Sequence, residues 1–149
     1  MRKYLITGAG SPLGCALREE INSRGDCWLG VFNVGGDEAS SSAAITPNES
    51  IFCDLANQED VFECIEQVNK SPNLDAFVHL AATTSMNDKS IQELNRQFNV
   101  NTLSGWIIAD ACIQAMSKKD GGRILFAGSV GHKFGGKVNQ WGYGASKYL

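Results

Sequence analysis

Short runs of branched and aromatic residues alternate along this chain with longer stretches in which apolar positions recur every three or four residues. The short runs, at 3–7, 27–32, 50–53, 76–80 and 123–127, predict strands, and the longer ones, at 13–24, 58–69 and 91–116, predict helices. Strand and helix in alternation describe β-α-β units. Their right-handed crossovers build a doubly wound parallel sheet with helices on both faces, a three-layer α/β/α arrangement. Residues 33–49 follow neither period and predict a long surface connection. A last helical pattern occupies 143–149, and the chain stops before another strand could pair beside 123–127, so the sheet is expected to be incomplete at its C-terminal edge.

Composition narrows the class of molecule. With 149 residues, 43% apolar and 19% charged, the chain suits one globular domain over 1–149, and no repeat or linker divides it. A net charge of −3 offers no basic field for nucleic acid or an anionic membrane, which points to a small-molecule partner. The start has no apolar core of a signal peptide and no run is long enough to span a bilayer, so the expectation is a protein neither exported nor embedded. Cys15, Cys27, Cys53, Cys64 and Cys112 are scattered, odd in number and without a Cys-x-x-Cys pair, which suits a reducing cytoplasm. Cys15, just past a glycine turn, reads as a small packing residue, and no metal-ligand set is assigned.

The first candidate chemistry follows the first strand. TGAGSPLG, with Gly8, Gly10 and Gly14, frames a tight turn into a helix, where glycines let the backbone approach a pyrophosphate and the helix's free amides offset its charge. Pro12 stands where many such loops carry another glycine, and proline is tolerated at a helix start. The second strand ends at Asn33, where an acidic residue would bind the adenine ribose hydroxyls and favour NAD. No arginine adjoins it and Asp37 is too far along, so NAD against NADP stays open. Asp54, past the third strand, suits either the adenine amino group or a cap for the helix from Gln58.

Ser129, Tyr143 and Lys147 form the second candidate set. Tyr143 and Lys147, four residues apart, share one helix face and can enter one cleft.

Taken in order, these motifs resemble the short-chain dehydrogenase/reductase family over the whole chain. Thr7, Gly8, Gly10, Ser11, Pro12, Leu13 and Gly14 resemble its glycine loop, and Asp54-Leu55 its adenine-contacting dipeptide. His79-Leu80-Ala81-Ala82 sits where the family has Asn-Asn-Ala-Gly, and Asn101 in VNTLSG matches its catalytic asparagine. Ser129, Tyr143 and Lys147 match its serine and its Tyr-x-x-x-Lys pair. Pro12, Gly128 and the early stop depart from the pattern. HLAA is closer to the extended branch that acts on nucleotide sugars, whereas the 14-residue step from Ser129 to Tyr143 is closer to the shorter branch. That step weighs more because it sets active-site geometry. His79 accordingly reads as a strand-end packing or hydrogen-bonding residue rather than a catalyst.

The resemblance implies a Rossmann-like, NAD(P)-binding oxidoreductase lacking its C-terminal part, and with it most of the substrate pocket. It implies hydride exchange with a carbonyl or alcohol of a small molecule and a homo-oligomer. Tyr143 would be the acid in reduction, and Lys147 would lower its pKa and hold the nicotinamide ribose. Ser129 would hold the substrate oxygen, and Asn101 would position a water toward Lys147. Two other readings remain: a catalytically inactive fragment or nucleotide-binding interaction module, and an epimerase- or dehydratase-like enzyme acting on nucleotide sugars. The short terminal helix is expected to hold Tyr143 and Lys147 loosely. Phe134 and Trp141 suit either the substrate entrance or surface packing, and His132 has no evident partner.

Overall fold

Alternation along the first two strands decides the layers. In β1 (Lys3–Thr7) Leu5 enters one core and Ile6 another, and in β2 (Cys27–Phe32) Leu29 and Val31 join the first while Trp28 and Phe32 join the second. Successive side chains of a strand point to opposite faces, so the sheet is covered on both sides. The computed structural model describes residues 1–33, 48–71, 73–85, 90–116, 121–134 and 140–147, without the side chains of His132 and Phe134. Most of the expected connection at 33–49, including Asp37, therefore lies outside the described residues, as do the readings of His132 and Phe134.

With β3 (Glu49–Phe52), β4 (Ala76–His79) and β5 (Arg123–Phe126), the sheet runs β3-β2-β1-β4-β5, all parallel. Leu5 sits between Leu29 and Phe77, and Thr7 pairs with His79. The doubly wound expectation holds, with strand ends within one residue of the predicted ones. Helix α1 (Pro12–Ser23) buries Ile21 in the second core. Helix α2 (Gln58–Lys70) buries Val61, Cys64 and Val68 in the first, beside Ile108, Cys112 and Met116 of α4 (Ser104–Met116). At the edge, β5 leaves Ile124 and Leu125 exposed. No described helix is long and apolar enough to cross a membrane.

Two predicted elements differ. The helix expected over 91–116 is α3 (Ile91–Phe98), a π-helical segment Asn99–Leu103, and then α4. Apolar spacing does not register this change, because a π turn inserts one residue into the i→i−4 ladder while the apolar face continues. The glycine-rich stretch after Ser129 holds a short helix α5 (Gly131–Phe134), and the terminal helix α6 (Trp141–Ser146) starts ahead of Tyr143. Thr7, Phe32 and His79 end their strands on one rim of the sheet, where a doubly wound fold places its ligands.

Candidate functional site

The glycine turn is built by close packing. Gly8 has φ +68°, and a Cβ there would lie 2.7 Å from the Ala81 backbone nitrogen. A Cβ on Gly14 would stand 2.4 Å from the Gly8 carbonyl oxygen. Only glycine lets the turn rest on the exit of β4 and the helix rest on the turn. Ser11 caps α1, its Oγ accepting from the Gly14 N–H at 3.0 Å, and Pro12 occupies the helix start, where no amide donor is missed.

Thr7 and His79 tie β1 to β4 beneath this turn. Both are fully buried, and Thr7 Oγ1 lies 2.7 Å from His79 Nδ1. Thr7 Oγ1 also accepts from the Ala81 N–H at 3.4 Å. Among the described residues, His79 Nε2 has no hydrogen-bond partner. Burial, and next the charge of Lys147, push the His79 pKa down to about 4 against a weaker opposing pull from the backbone of Asn101 and Val100. A neutral imidazole packed between Phe77 and Phe126 fits the reading of His79 as a packing and hydrogen-bonding residue.

A cavity of about 340 Å³ opens at this rim. Of the residues expected to hold a cofactor, it is lined by Gly8, Ser11, Asn33 and Asp54, and by Leu55, Leu80, Ala81 and Ala82. Thr7, Gly10, Pro12, Leu13 and Gly14 support the turn without lining it. Asp54 does not cap α2: Asn57 does, its Oδ1 accepting from the Glu59 N–H at 2.8 Å, while Asp54 Oδ1 takes the Ala56 N–H at 2.9 Å. Sequence reasoning missed Val31, Phe32 and Cys53 in the strand ends, and Thr83, Arg96 and Val100. Helical spacing could have found Arg96, which lies one turn before Val100 on the same face, with Nη1 donating to Thr83 Oγ1 at 3.1 Å. These residues fit a dinucleotide: a wall without side chain at Gly8, a helix start at Ser11, and the carboxylate of Asp54 together with apolar Leu55 and Val100 in the lining.

The four residues matched to catalysis lie beside this cavity rather than on its described wall. Asn101, in the π segment, is fully buried. Its Oδ1 accepts from the Thr83 N–H at 2.6 Å, and its Nδ2 donates to the Thr83 carbonyl at 2.9 Å and to Ser146 Oγ at 2.8 Å. Thr102 Oγ1 donates to the Ser146 carbonyl. Helix α6 packs on α3 through Gly142, where a Cβ would lie 2.6 Å from Leu94 Cδ2. Lys147, 2% exposed, donates from Nζ to the Ala81 carbonyl at 3.4 Å, and burial lowers its pKa. In place of the loose end expected, Ser146 and Lys147 are buried. Tyr143 is half-buried one turn ahead, its carbonyl accepting from the Lys147 N–H at 3.1 Å. Ser129, also half-buried, accepts from the Gly131 N–H at 3.1 Å, and Gly131 borders α6 at Gly144. Arg18 and Ser146 were not singled out by the sequence.

The family model described as short chain dehydrogenase matches residues 2–148. A 3-oxoacyl-acyl-carrier-protein reductase, FabG, of Rickettsia prowazekii is 32% identical over 96% of this chain and 59% of its own length. Among solved structures, a short-chain dehydrogenase of Sphingobium yanoikuyae in complex with NADPH superposes with a TM-score of 0.83 at 20% identity, over 99% of this chain and 60% of the other. An alcohol dehydrogenase of Comamonas testosteroni specific for bulky-bulky ketones gives 0.81 at 22% identity, over 99% and 62%. The chain thus spans about three-fifths of the length of the relatives it matches.

Proposed function

Because this chain belongs to the short-chain dehydrogenase family, we propose that it is the cofactor-binding and catalytic part of an NAD(P)-dependent oxidoreductase that reduces a ketone of a small molecule. The observation that carries this reading is Lys147, a buried ammonium held 3.4 Å from the carbonyl of Ala81, a residue of the cavity wall. A buried lysine without a carboxylate partner among the described residues is costly, and it is retained where its charge has work to do.

The dinucleotide, when bound, supplies the hydride. Tyr143, one turn before Lys147, delivers the proton to the carbonyl oxygen. Ser129 donates a hydrogen bond to the same oxygen, steadying the charge that develops there. Both Nδ2 hydrogens of Asn101 are engaged, so any water it orients toward Lys147 is held through Oδ1 or its backbone. The relatives' names make a 3-oxoacyl thioester and a bulky ketone the first substrates to try.

The engagement of Asn101 also favours a second reading, a module that binds dinucleotide without turnover. One experiment separates them: reduction of these ketones by the chain and by Tyr143→Phe, with nicotinamide fluorescence to follow binding. The oxidoreductase reading expects saturable binding by both proteins and a rate loss of about a hundredfold or more in the variant. Equal rates would overturn it, and binding with no reduction by either protein would favour the module.

A further inference from the structure

Arg18 is a cation without a counter-charge among the described residues, placed behind the adenosine end of the cavity. It sits on the second turn of α1, and helical side chains lean toward the N-terminus, which carries its guanidinium back toward the turn that presents Ser11. The guanidinium lies 4.8 Å from the centre of the Trp28 ring and 5.2 Å from that of Phe32. Phe32 lines the cavity, and its ring edge is 3.3 Å from where a Gly10 Cβ would stand. The next residue, Asn33, lines the cavity too, at the end of β2 where the ribose hydroxyls of a dinucleotide are expected.

The polar capacity of Arg18 is largely unspent. Nη2 donates to the Cys15 thiol at 3.2 Å, a weak acceptor, and Nε is buried with no partner among the described residues. The ion pairs among the described residues are Lys3–Glu49 and Arg24–Glu20, neither of which includes Arg18. An arginine fixed on two rings, with few hydrogen bonds made and no carboxylate beside it among the described residues, is pre-organised for a phosphate. Asn33 adds to this by being neutral, since a carboxylate there would repel a second phosphate.

We infer that Arg18 makes this site select the 2′-phosphorylated dinucleotide, NADP, over NAD. The inference rests on the dinucleotide reading above and names the group that decides between the two cofactors. It differs from a clamp that merely fastens α1 to β2, because a clamp does not distinguish ligands by one phosphate.

Calorimetric titration of the chain with NADP⁺ and NAD⁺ tests this. The wild-type chain is expected to bind NADP⁺ at least about tenfold tighter, with the margin shrinking as salt rises from about 50 to about 200 mM. Arg18→Met, which keeps the apolar stem over the rings, should bring the two affinities to within about twofold of each other, and Arg18→Lys should keep an intermediate margin. Equal affinities in the wild-type chain overturn the inference without any variant, and so does a margin that survives in Arg18→Met. In both cases the dinucleotide reading stands, whereas binding of neither nucleotide by the wild-type chain overturns that reading and the inference together.

Discussion

The side-chain nitrogen of Asn101 lies 2.8 Å from the hydroxyl oxygen of Ser146, which in turn donates to the Tyr143 carbonyl at 2.9 Å. This relay fastens the π segment to the last turn of α6, between Tyr143 and Lys147, and Asn101 holds the strand exit at Thr83 from its other side. Ser146→Ala should cost about 1–2 kcal/mol, because a buried amide donor loses its acceptor. Asn101→Ala, which also takes the side-chain partner from the Thr83 backbone N–H and carbonyl, should cost about 2–4 kcal/mol. Urea denaturation measures both, and a Ser146→Ala variant as stable as the parent would show that the relay does not hold the helix.

Gly14→Ala places a methyl group against two backbone oxygens, 2.4 Å from that of Gly8 and 2.7 Å from that of Ala9. Backbone cannot swing aside as a side chain can, so the turn must open. A loss of about 1–3 kcal/mol is expected, with weakened dinucleotide binding. Thermal melting together with nucleotide titration checks this. Unchanged binding in a folded Gly14→Ala chain would mean that the turn does not shape the site.

His79 should make the fold acid-sensitive. Its folded pKa of about 4 lies below its ordinary 6.5, so the unfolded chain takes up the proton first as pH falls. Stability from this group is complete above pH 6.5 and is lost on descending to about 4, by up to about 3 kcal/mol. Denaturation at about pH 7, 5.5 and 4.5 should show stability falling less steeply with acid in His79→Gln than in the parent. Parallel slopes would mean that the ring is not held neutral.

Lys147 carries the same logic to alkaline pH. Burial lowers its pKa, so the folded chain gives up this proton before the unfolded chain does, and stability should rise with pH up to its ordinary 10.5. Lys147→Met removes the cost of burying an ammonium and should leave stability equal or up to about 2 kcal/mol higher, without that alkaline rise. Dinucleotide binding should weaken about tenfold or more in the same variant. A destabilised Lys147→Met chain that binds nucleotide normally would assign the lysine to structure alone.

Much of the frame is legible in the sequence. The strands of the sheet, α1 and α2 follow from local periodicity, and the glycine turn from residue types that few other conformations require. Within 91–116 the apolar period persists through Asn99–Leu103, so the π segment that carries Asn101 was hidden. For Asp54 the sequence offered two readings, and the position of Asn57 removed the capping one.

Local pattern determined which segments are strands and helices, their order, and the ordered motifs by which the family is known, because those depend on residues within a turn or two of each other. Tertiary structure alone decided that Asn101 meets Ser146 across 45 positions, that Lys147 reaches Ala81 across 66, and that Arg18 rests on Trp28 and Phe32. Such pairs meet only after the parallel sheet has brought separate strand ends to one rim. Their energies come from burial and satisfied polar groups at the meeting point, and no local period encodes that.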